Sequence, residues 1–467
     1  MAPRARRIAV VGGGVSGLTA AYRLRQALGA DAQIDVHEAG ARPGGILSTV
    51  DVGGRAVDVG AEAFIVRRPE AVDLVGELGL ADRVVSPTAR RPAVWSAGRL
   101  HPLPTPALMG VPASVDAVSG LVDPADLDRL AAEADRAWRW DQGADPSLGE
   151  VIADRFGPTV VTRSVDPMLG GVYSSLSTDI GVREALPALA ARLDEGAPNL
   201  TSAVADLVGR SAGGGPVFGT LLGGYRVLID ALIEAAAAEF RLNSVVGGLE
   251  RSAQGWTLDL GRSGSADYDG VVVALPAWHA GRVLQRAAPE LARSLQGVRR
   301  ASSVVVSIAL APGTPLPDHS GVLVGTGEGL RAKAFTFSSQ KWAHLSGDDG
   351  PVSVRASFGR YRAAIPDDGV EPGVDERIRT EALEDLDEVC RAAGVSAPSS
   401  AVVDVVVQRW TDGLPVYAPG HLAAMAEAER LRPPGVVLAG SAYAGVGVPA
   451  CIGRAGRAVT ALLDELT

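Results

Sequence analysis

Cysteine is nearly missing from this chain: Cys390 and Cys451 are the only two in 467 residues. That excludes a disulfide framework and any thiolate metal cluster, and it fits a reducing, cytoplasmic setting. Also missing is any run of 18 or more apolar residues, which argues against a membrane-spanning helix and leaves room only for peripheral membrane contact. Arg4, Arg6 and Arg7 lead into a strand with no signal-peptide core behind them, so export by that route is not expected. Positive charge is in deficit, with 44 Lys and Arg against 54 Asp and Glu, and it forms no basic tract. A nucleic-acid partner is therefore not expected, and an anionic ligand would need local arginines. The six histidines have no metal-ligand spacing, and no Ser/His/Asp arrangement stands out. Internal repeats are absent.

What is present reads as a folded globular protein of two or three domains, with 47% apolar and 21% charged residues over 467 positions. Its most informative stretch is Ile8–Gly17, an apolar strand running into Gly-x-Gly-x-x-Gly at the start of a helix. Gly12 permits the tight turn, Gly14 lets backbone approach a pyrophosphate, and Gly17 lets the helix lie close to the strand. The helix N-terminus adds free N–H groups and a positive dipole end, so a diphosphate is stabilised without a basic side chain. Leu18, Ala21, Leu24 and Leu28 keep helical spacing, and Gly29 suits a helix stop. A second strand, Ile34–His37, ends in Glu38, 21 positions after Gly17, where an acid meets adenosine ribose hydroxyls and repels a 2′-phosphate. A second glycine pair follows in Arg42-Pro43-Gly44-Gly45, before a hairpin-like segment ending Val57-Asp58-Val59-Gly60. Two close backbone approaches suit a long cofactor lying extended across the domain, which favours FAD over NAD.

From about residue 90 to 215 the pattern turns helical and irregular, as in the helix after Asp123-Pro124, and Ser211–Gly215 reads as a short loop. The apolar-faced stretch Val227–Phe240 and the strand Gly270–Leu275 lead back to the nucleotide domain. Strands rich in β-branched residues are predicted at Val304–Leu310, Val322–Val324, Val352–Phe358 and Val402–Val407, with one long helix near Asp375–Ala393. On that helix Cys390 shares an apolar face with Ile378, Ala382, Leu386 and Ala393, so it reads as a small buried hydrophobe. A last strand, Gly435–Ala439, is followed by Gly440, Gly445 and Gly447 and by a helix opened at Pro449 and running to about Leu466. If this helix faces the flavin, its dipole stabilises negative charge there by about 0.3–1 kcal/mol at an exposed end. The alternative is a plain docking helix.

With these pieces placed, the chain resembles the flavin-dependent porphyrinogen oxidases, which act on protoporphyrinogen IX or coproporphyrinogen III, over nearly its whole length. The likeness rests on the first glycine motif, on Glu38-Ala39 with Arg42-Pro43-Gly44-Gly45, and on Val59 through Phe64 with Arg67-Arg68. It continues through Pro167 with Gly171-Val172-Tyr173, Phe335 through Trp342, Arg409-Trp410 with Pro415 and Tyr417, and Gly445 through Ile452. Ala61 stands where Pro is common, Ala63 where Ser is common, and Val416 where Gln is common.

The resemblance implies an α/β plus α+β architecture: a discontinuous Rossmann-type FAD-binding domain, a mixed-sheet substrate domain and a helical insertion. The expected division is 1–85, 216–300 and 405–467 for FAD, 86–215 for the membrane-like helical insertion and part of the substrate domain, and 301–404 for the substrate sheet. It implies FAD contacts from Gly12, Gly14, Val15, Ser16, Gly17, Glu38, Ala39, Arg42, Gly45, Gly60, Val245, Trp410, Gly440, Val448 and Ile452. The implied reaction is FAD-dependent oxidation of coproporphyrinogen III to coproporphyrin III in haem synthesis. Six electrons leave as three hydride transfers to flavin N5, and O2 reoxidises the flavin to give H2O2. Product conjugation drives the reaction, so no side chain is required as acid or base, and the protein supplies orientation, water exclusion and electrostatics. Handover to a ferrochelatase would follow.

Propionates call for guanidinium forks. Arg67 and Arg68 are the first candidates and Arg90 and Arg91 the second, against the alternative of solvated surface charge. Gly171 and Tyr173, with Val172, match the stretch lining the flavin face in the family, and Lys341 with Trp342 is expected to border the cavity, an ordinary strand-end pair being the alternative. The arginines and the expected soluble character lean toward the tetracarboxylate. Protoporphyrinogen IX oxidation is the first alternative. An FAD amine oxidase is the next, although Ala444 through Ile452 lacks the aromatic residue such enzymes use to cage an amine. The remaining alternative is a flavoprotein without turnover.

Overall fold

A computed structural model describes residues 5–210, 215–253, 255–347, 349–363, 365 and 371–467. Arg4 and most of the loop expected at 211–215 lie outside the described residues. The N-terminal strand Arg7–Val11 is central in a five-stranded sheet, ordered Glu239–Arg241, Gln33–His37, Arg7–Val11, Gly270–Val273, Val436–Leu438. Every neighbouring pair is parallel. Because strand side chains alternate, Ile8 and Val10 enter one core and Ala9 and Val11 another. The first core packs the helices Val15–Leu28 and Val448–Leu466 through Leu18, Val459 and Leu462. The second takes Trp256, Leu291 and Leu295 from the opposite side. This is the doubly covered Rossmann-type sheet that the βαβ pattern predicts.

A seven-stranded sheet follows the order Val402–Pro415, Arg300–Leu310, Val352–Phe358, Ala334–Thr336, Gly321–Val324, Ala93–Ser96, Arg99–Pro102. It is antiparallel except where Gly321–Val324 meets Ala93–Ser96. The helix Val374–Ala392 covers it through Ile378, Ala382, Leu386, Val389 and Cys390. Burial pushes the Cys390 thiol up to about 12, which keeps it unreactive. Ala393 lies past the last helical turn and is exposed, so it does not share that face. A third layer gathers short helices, among them Leu148–Phe156, Asp166–Tyr173 and Pro187–Asp194, around Ile152, Phe156, Leu169 and Leu189.

Two segments depart from the sequence reading. Residues 93–102 are a hairpin, not helical, turning through Ala97 at φ 51° and Gly98 at φ 71°. Two left-handed residues match the strand twist of a tight hairpin, and alanine at the first of them hides the signal. The stretch Val227–Phe240 is not one element: the helix Arg226–Ala236 stops at Ala237, φ 44°, and Phe240 then pairs beside Val36 in the parallel sheet.

Candidate functional site

The first strand ends in a turn that tolerates no side chain at Gly12 or Gly17. Gly12 has φ +106°, and a Cβ on Gly17 would lie 1.8 Å from the Gly12 carbonyl oxygen. Gly14 precedes the helix Val15–Leu28, and no side chain caps it, so its first-turn N–H groups point out unclaimed by a cap. The Gly44 N–H donates to the Gly13 carbonyl at 2.8 Å, which lays the second glycine turn against the first. Arg42 holds that turn from within by donating to the Pro43, Gly45 and Leu47 carbonyls. Glu38, at the tip of the second strand, accepts from the Gly13 N–H at 2.8 Å and the Gly40 N–H at 2.7 Å. Its carbonyl accepts the Ser244 N–H, and the next residue, Val245, is 62% exposed beside it.

The other chain end arrives at the same place. Gly440 has φ +129°, and Gly447 precedes the helix Val448–Leu466, which again has no capping side chain. Cys451 in its first turn is near enough to Ser16 for a side-chain hydrogen bond, while burial pushes the thiol up to about 11. Val448, Cys451 and Ile452 share one core with Val15 and Leu18. Two helix N-termini, one from each end of the polypeptide, therefore converge. Tyr417 fixes the intervening glycine segment: its hydroxyl donates to the Ser441 carbonyl and accepts the Gly445 N–H at 2.8 Å. The His421 ring lies 4.3 Å from the Tyr417 ring, and its Nε2 is 2.7 Å from the Ala442 carbonyl.

The seven-stranded sheet reaches into this region through two long side chains. Trp410 Nε1 donates to the Val59 carbonyl at 2.9 Å and Arg355 to the Gly60 carbonyl at 2.6 Å. Next to them Glu62 accepts from Lys341 Nζ at 2.7 Å and Ser338 Oγ at 2.5 Å, with Arg355 at 3.6 Å. Burial alone would raise the Glu62 carboxyl, but Lys341 and Arg355 outweigh it and hold the group at about 2. Asp58 has no ion-pair partner among the described residues, and burial pushes it up to about 6, although Thr49 and the Tyr225 N–H donate to it and the Arg355 charge reaches it.

The expected substrate residues fall in different settings. Gly171 lies in the last turn of the helix Asp166–Tyr173, and a Cβ built on it would meet nothing within 4 Å. Val172 is 41% exposed, and Tyr173 packs edge-on against Tyr417 at 6.3 Å between ring centres. These two tyrosines join the helical layer to the C-terminal glycine segment. Lys341 is paired with Glu62, and Trp342 is buried. Arg67 and Arg68 are exposed, the first donating to the Gly215 carbonyl and the second paired with Glu70 at 2.7 Å. Arg90 pairs with Asp318 at 2.7 Å, and Arg91 is exposed. The roles of Glu62 and Tyr417 were missed although both sit inside the motifs that carry the resemblance. Arg355 had no signal, being one residue in an alternating strand.

Comparison with known proteins adds the following. The family model for flavin containing amine oxidoreductases matches residues 15–463. The coproporphyrinogen III oxidase of Mycobacterium leprae is 46% identical over 463 residues, covering 99% of each chain. A solved structure from Exiguobacterium sp. 255-15 superposes with a TM-score of 0.85 at 26% identity over 99% of each chain. Cyclohexylamine oxidase from Brevibacterium oxydans shares the fold, with a TM-score of 0.69 at 17% identity over 99% of each chain.

Proposed function

The chain belongs to the family of flavin containing amine oxidoreductases and is an FAD-dependent oxidoreductase, and from that premise we propose that it oxidises coproporphyrinogen III to coproporphyrin III, with O2 as final electron acceptor. The observation that carries the substrate is the full-length likeness to the mycobacterial oxidase. The cofactor fits these residues. A pyrophosphate suits the uncapped N–H groups of Val15, Ser16 and Gly17, and the space over Gly14 admits it, since a Cβ there would be 3.9 Å from its nearest neighbour. Glu38 is placed to exchange its backbone partners for ribose hydroxyls, with Ala39, Gly45 and Val245 bordering the same slot. Gly60, Trp410, Gly440, Val448 and Ile452 complete the proposed contacts, Val448 and Ile452 from the helix that packs beside Val15.

FAD, when bound, supplies a two-electron acceptor, and the protein supplies placement. Trp410 and Arg355 hold the Val59–Gly60 backbone, and Tyr417 holds the C-terminal glycine segment opposite. The positive end of the helix Val448–Leu466 favours negative charge developing beside it. The open face of Gly171, flanked by Val172 and Tyr173, leaves room for a flat macrocycle. In this reading residues 1–85, 216–300 and 405–467 hold the cofactor, 301–404 form the substrate sheet and 86–215 contribute to both the insertion and that sheet. The strand Val402–Pro415 is shared, since it pairs in the substrate sheet while its Trp410 reaches Val59.

A paired assay under air tests the proposal. Purified protein should show flavin absorbance, and coproporphyrinogen III should give porphyrin fluorescence above autoxidation with a larger kcat/KM than protoporphyrinogen IX. The reverse preference would assign it to protoporphyrinogen IX. No fluorescence gain, with peroxide released from a polyamine, would make it an amine oxidase.

A further inference from the structure

Two cations meet the C-terminal end of the helix Asp166–Tyr173, at Gly170 and Ser174, and neither has an ion-pair partner among the described residues. Lys333 is only 6% exposed, and its Nζ donates to Ser174 Oγ and the Gly359 carbonyl, each at 2.7 Å. Arg360 follows the strand Val352–Phe358, and its guanidinium lies against Gly170: a Cβ there would sit 3.8 Å from Nε and 3.9 Å from Nη2. Its Nε is buried with no hydrogen-bond partner. Asp166 is the carboxylate whose charge reaches it. Both Asp166 oxygens are taken, Oδ1 by the Ser177 N–H and hydroxyl and Oδ2 by Thr326.

A buried cation without a counter-charge is unfavourable, and a donor without an acceptor adds to the penalty. Burial, and then repulsion from Arg360, lower the Lys333 ammonium to about 7. An anion placed beside Arg360 would relieve both groups. The adjoining backbone is accessible, because Gly171 borders empty space and Val172 is exposed. The last turn of this helix thus meets the C-terminal glycine segment through Tyr173 and Tyr417 and the cationic pair through Gly170 and Ser174. A ring lying over Gly171 would carry rim carboxylates toward that pair. Arg67 and Arg68 offer less, being exposed and already engaged.

We propose that Arg360, supported by Lys333, binds a carboxylate of the tetrapyrrole and makes the seam between the helical layer and the seven-stranded sheet a substrate-specificity site. This inference rests on the functional reading above. Fluorescence titration of FAD-loaded protein with coproporphyrin III, without turnover, gives the direct test. R360Q should raise Kd by about tenfold or more, the effect of losing one charge-assisted hydrogen bond, and R360K by less. KM for coproporphyrinogen III should rise in parallel while kcat, flavin content and Tm stay near wild type. Unchanged Kd and KM in R360Q would overturn the proposal. So would lower Tm or flavin content in both variants with affinity per flavin-loaded molecule unchanged, which would make Arg360 a structural residue. If the wild-type protein neither binds coproporphyrin III nor oxidises either porphyrinogen, the functional reading itself fails and this site falls with it.

Discussion

Glu184 holds a carboxyl whose Oε2 is buried without a hydrogen-bond partner, and burial, then the charge of Asp145, push it up to about 8. A folded value above the ordinary 4.5 means that protein stability is unaffected by this group below about pH 4.5 and declines as pH rises through about 8. Glu184→Gln keeps the shape and removes the charge. Thermal melting at about pH 5, 7 and 9 should therefore show the variant pulling ahead of wild type with rising pH, by more than about 1.4 kcal/mol, the equivalent of one pKa unit. Equal pH dependence in the two proteins would mean that Glu184 is solvated or paired in solution. Glu62 has the opposite sign: held near 2 by Lys341 and Arg355, it supports the fold above about pH 4.5 and gives that support up as pH falls toward 2. Neither residue could be recognised as a buried titrating group from the sequence. Glu62 lies between two alanines and Glu184 between Arg183 and Ala185, and the charges that act on them, Lys341 and Arg355 on the first and Asp145 on the second, come from other elements of the chain.

At the scale of single elements, the glycine turn before the helix Val15–Leu28 separates structural from ligand-imposed demands. Gly17 must be glycine for the chain to fold, because its Cβ would collide with the Gly12 carbonyl. Gly14 is different. It is extended, with φ −72°, and a Cβ there meets only Gly45 Cα at ordinary contact distance. Gly14→Ala should leave apoprotein stability within about 0.5 kcal/mol of wild type, the range of an uncrowded substitution, yet lower the flavin retained on purification several-fold, read from visible absorbance. Full flavin content in that variant would remove Gly14 from the pyrophosphate seat. The strand, turn and helix here were legible because local chemistry specifies each of them. The hairpin at Ala93–Pro102 was not, since Ala97 adopts a left-handed conformation that the flanking Ser96–Arg99 pairing and the distant Glu328 carboxylate, accepting the Ala97 N–H at 2.9 Å, hold in place.

For the whole molecule, Tyr417 is where three layers meet. It follows the last strand of the seven-stranded sheet, its ring packs on Tyr173 from the helical layer, and its hydroxyl binds both Ser441 and Gly445 of the nucleotide domain. Its carbonyl also accepts the Gly181 N–H at 2.9 Å. Tyr417→Phe leaves a half-buried N–H and a carbonyl without that partner, which costs about 1 kcal/mol. The expected outcome is a lower Tm together with weaker FAD binding, checked by calorimetry of apo and flavin-loaded protein. A loss confined to Tm would make Tyr417 a packing residue only. The sequence by itself determined the strand, glycine turn and helix at the chain's start, the type of most strands and helices, and the family likeness, because these depend on periodicity and on glycines within short windows of chain. Only the tertiary structure decided that the first and last helices converge, that Lys341 answers Glu62, and that Lys333 and Arg360 stand together with no ion-pair partner among the described residues. Proximity of residues hundreds of positions apart is set by sheet order and layer packing, and no local pattern encodes it.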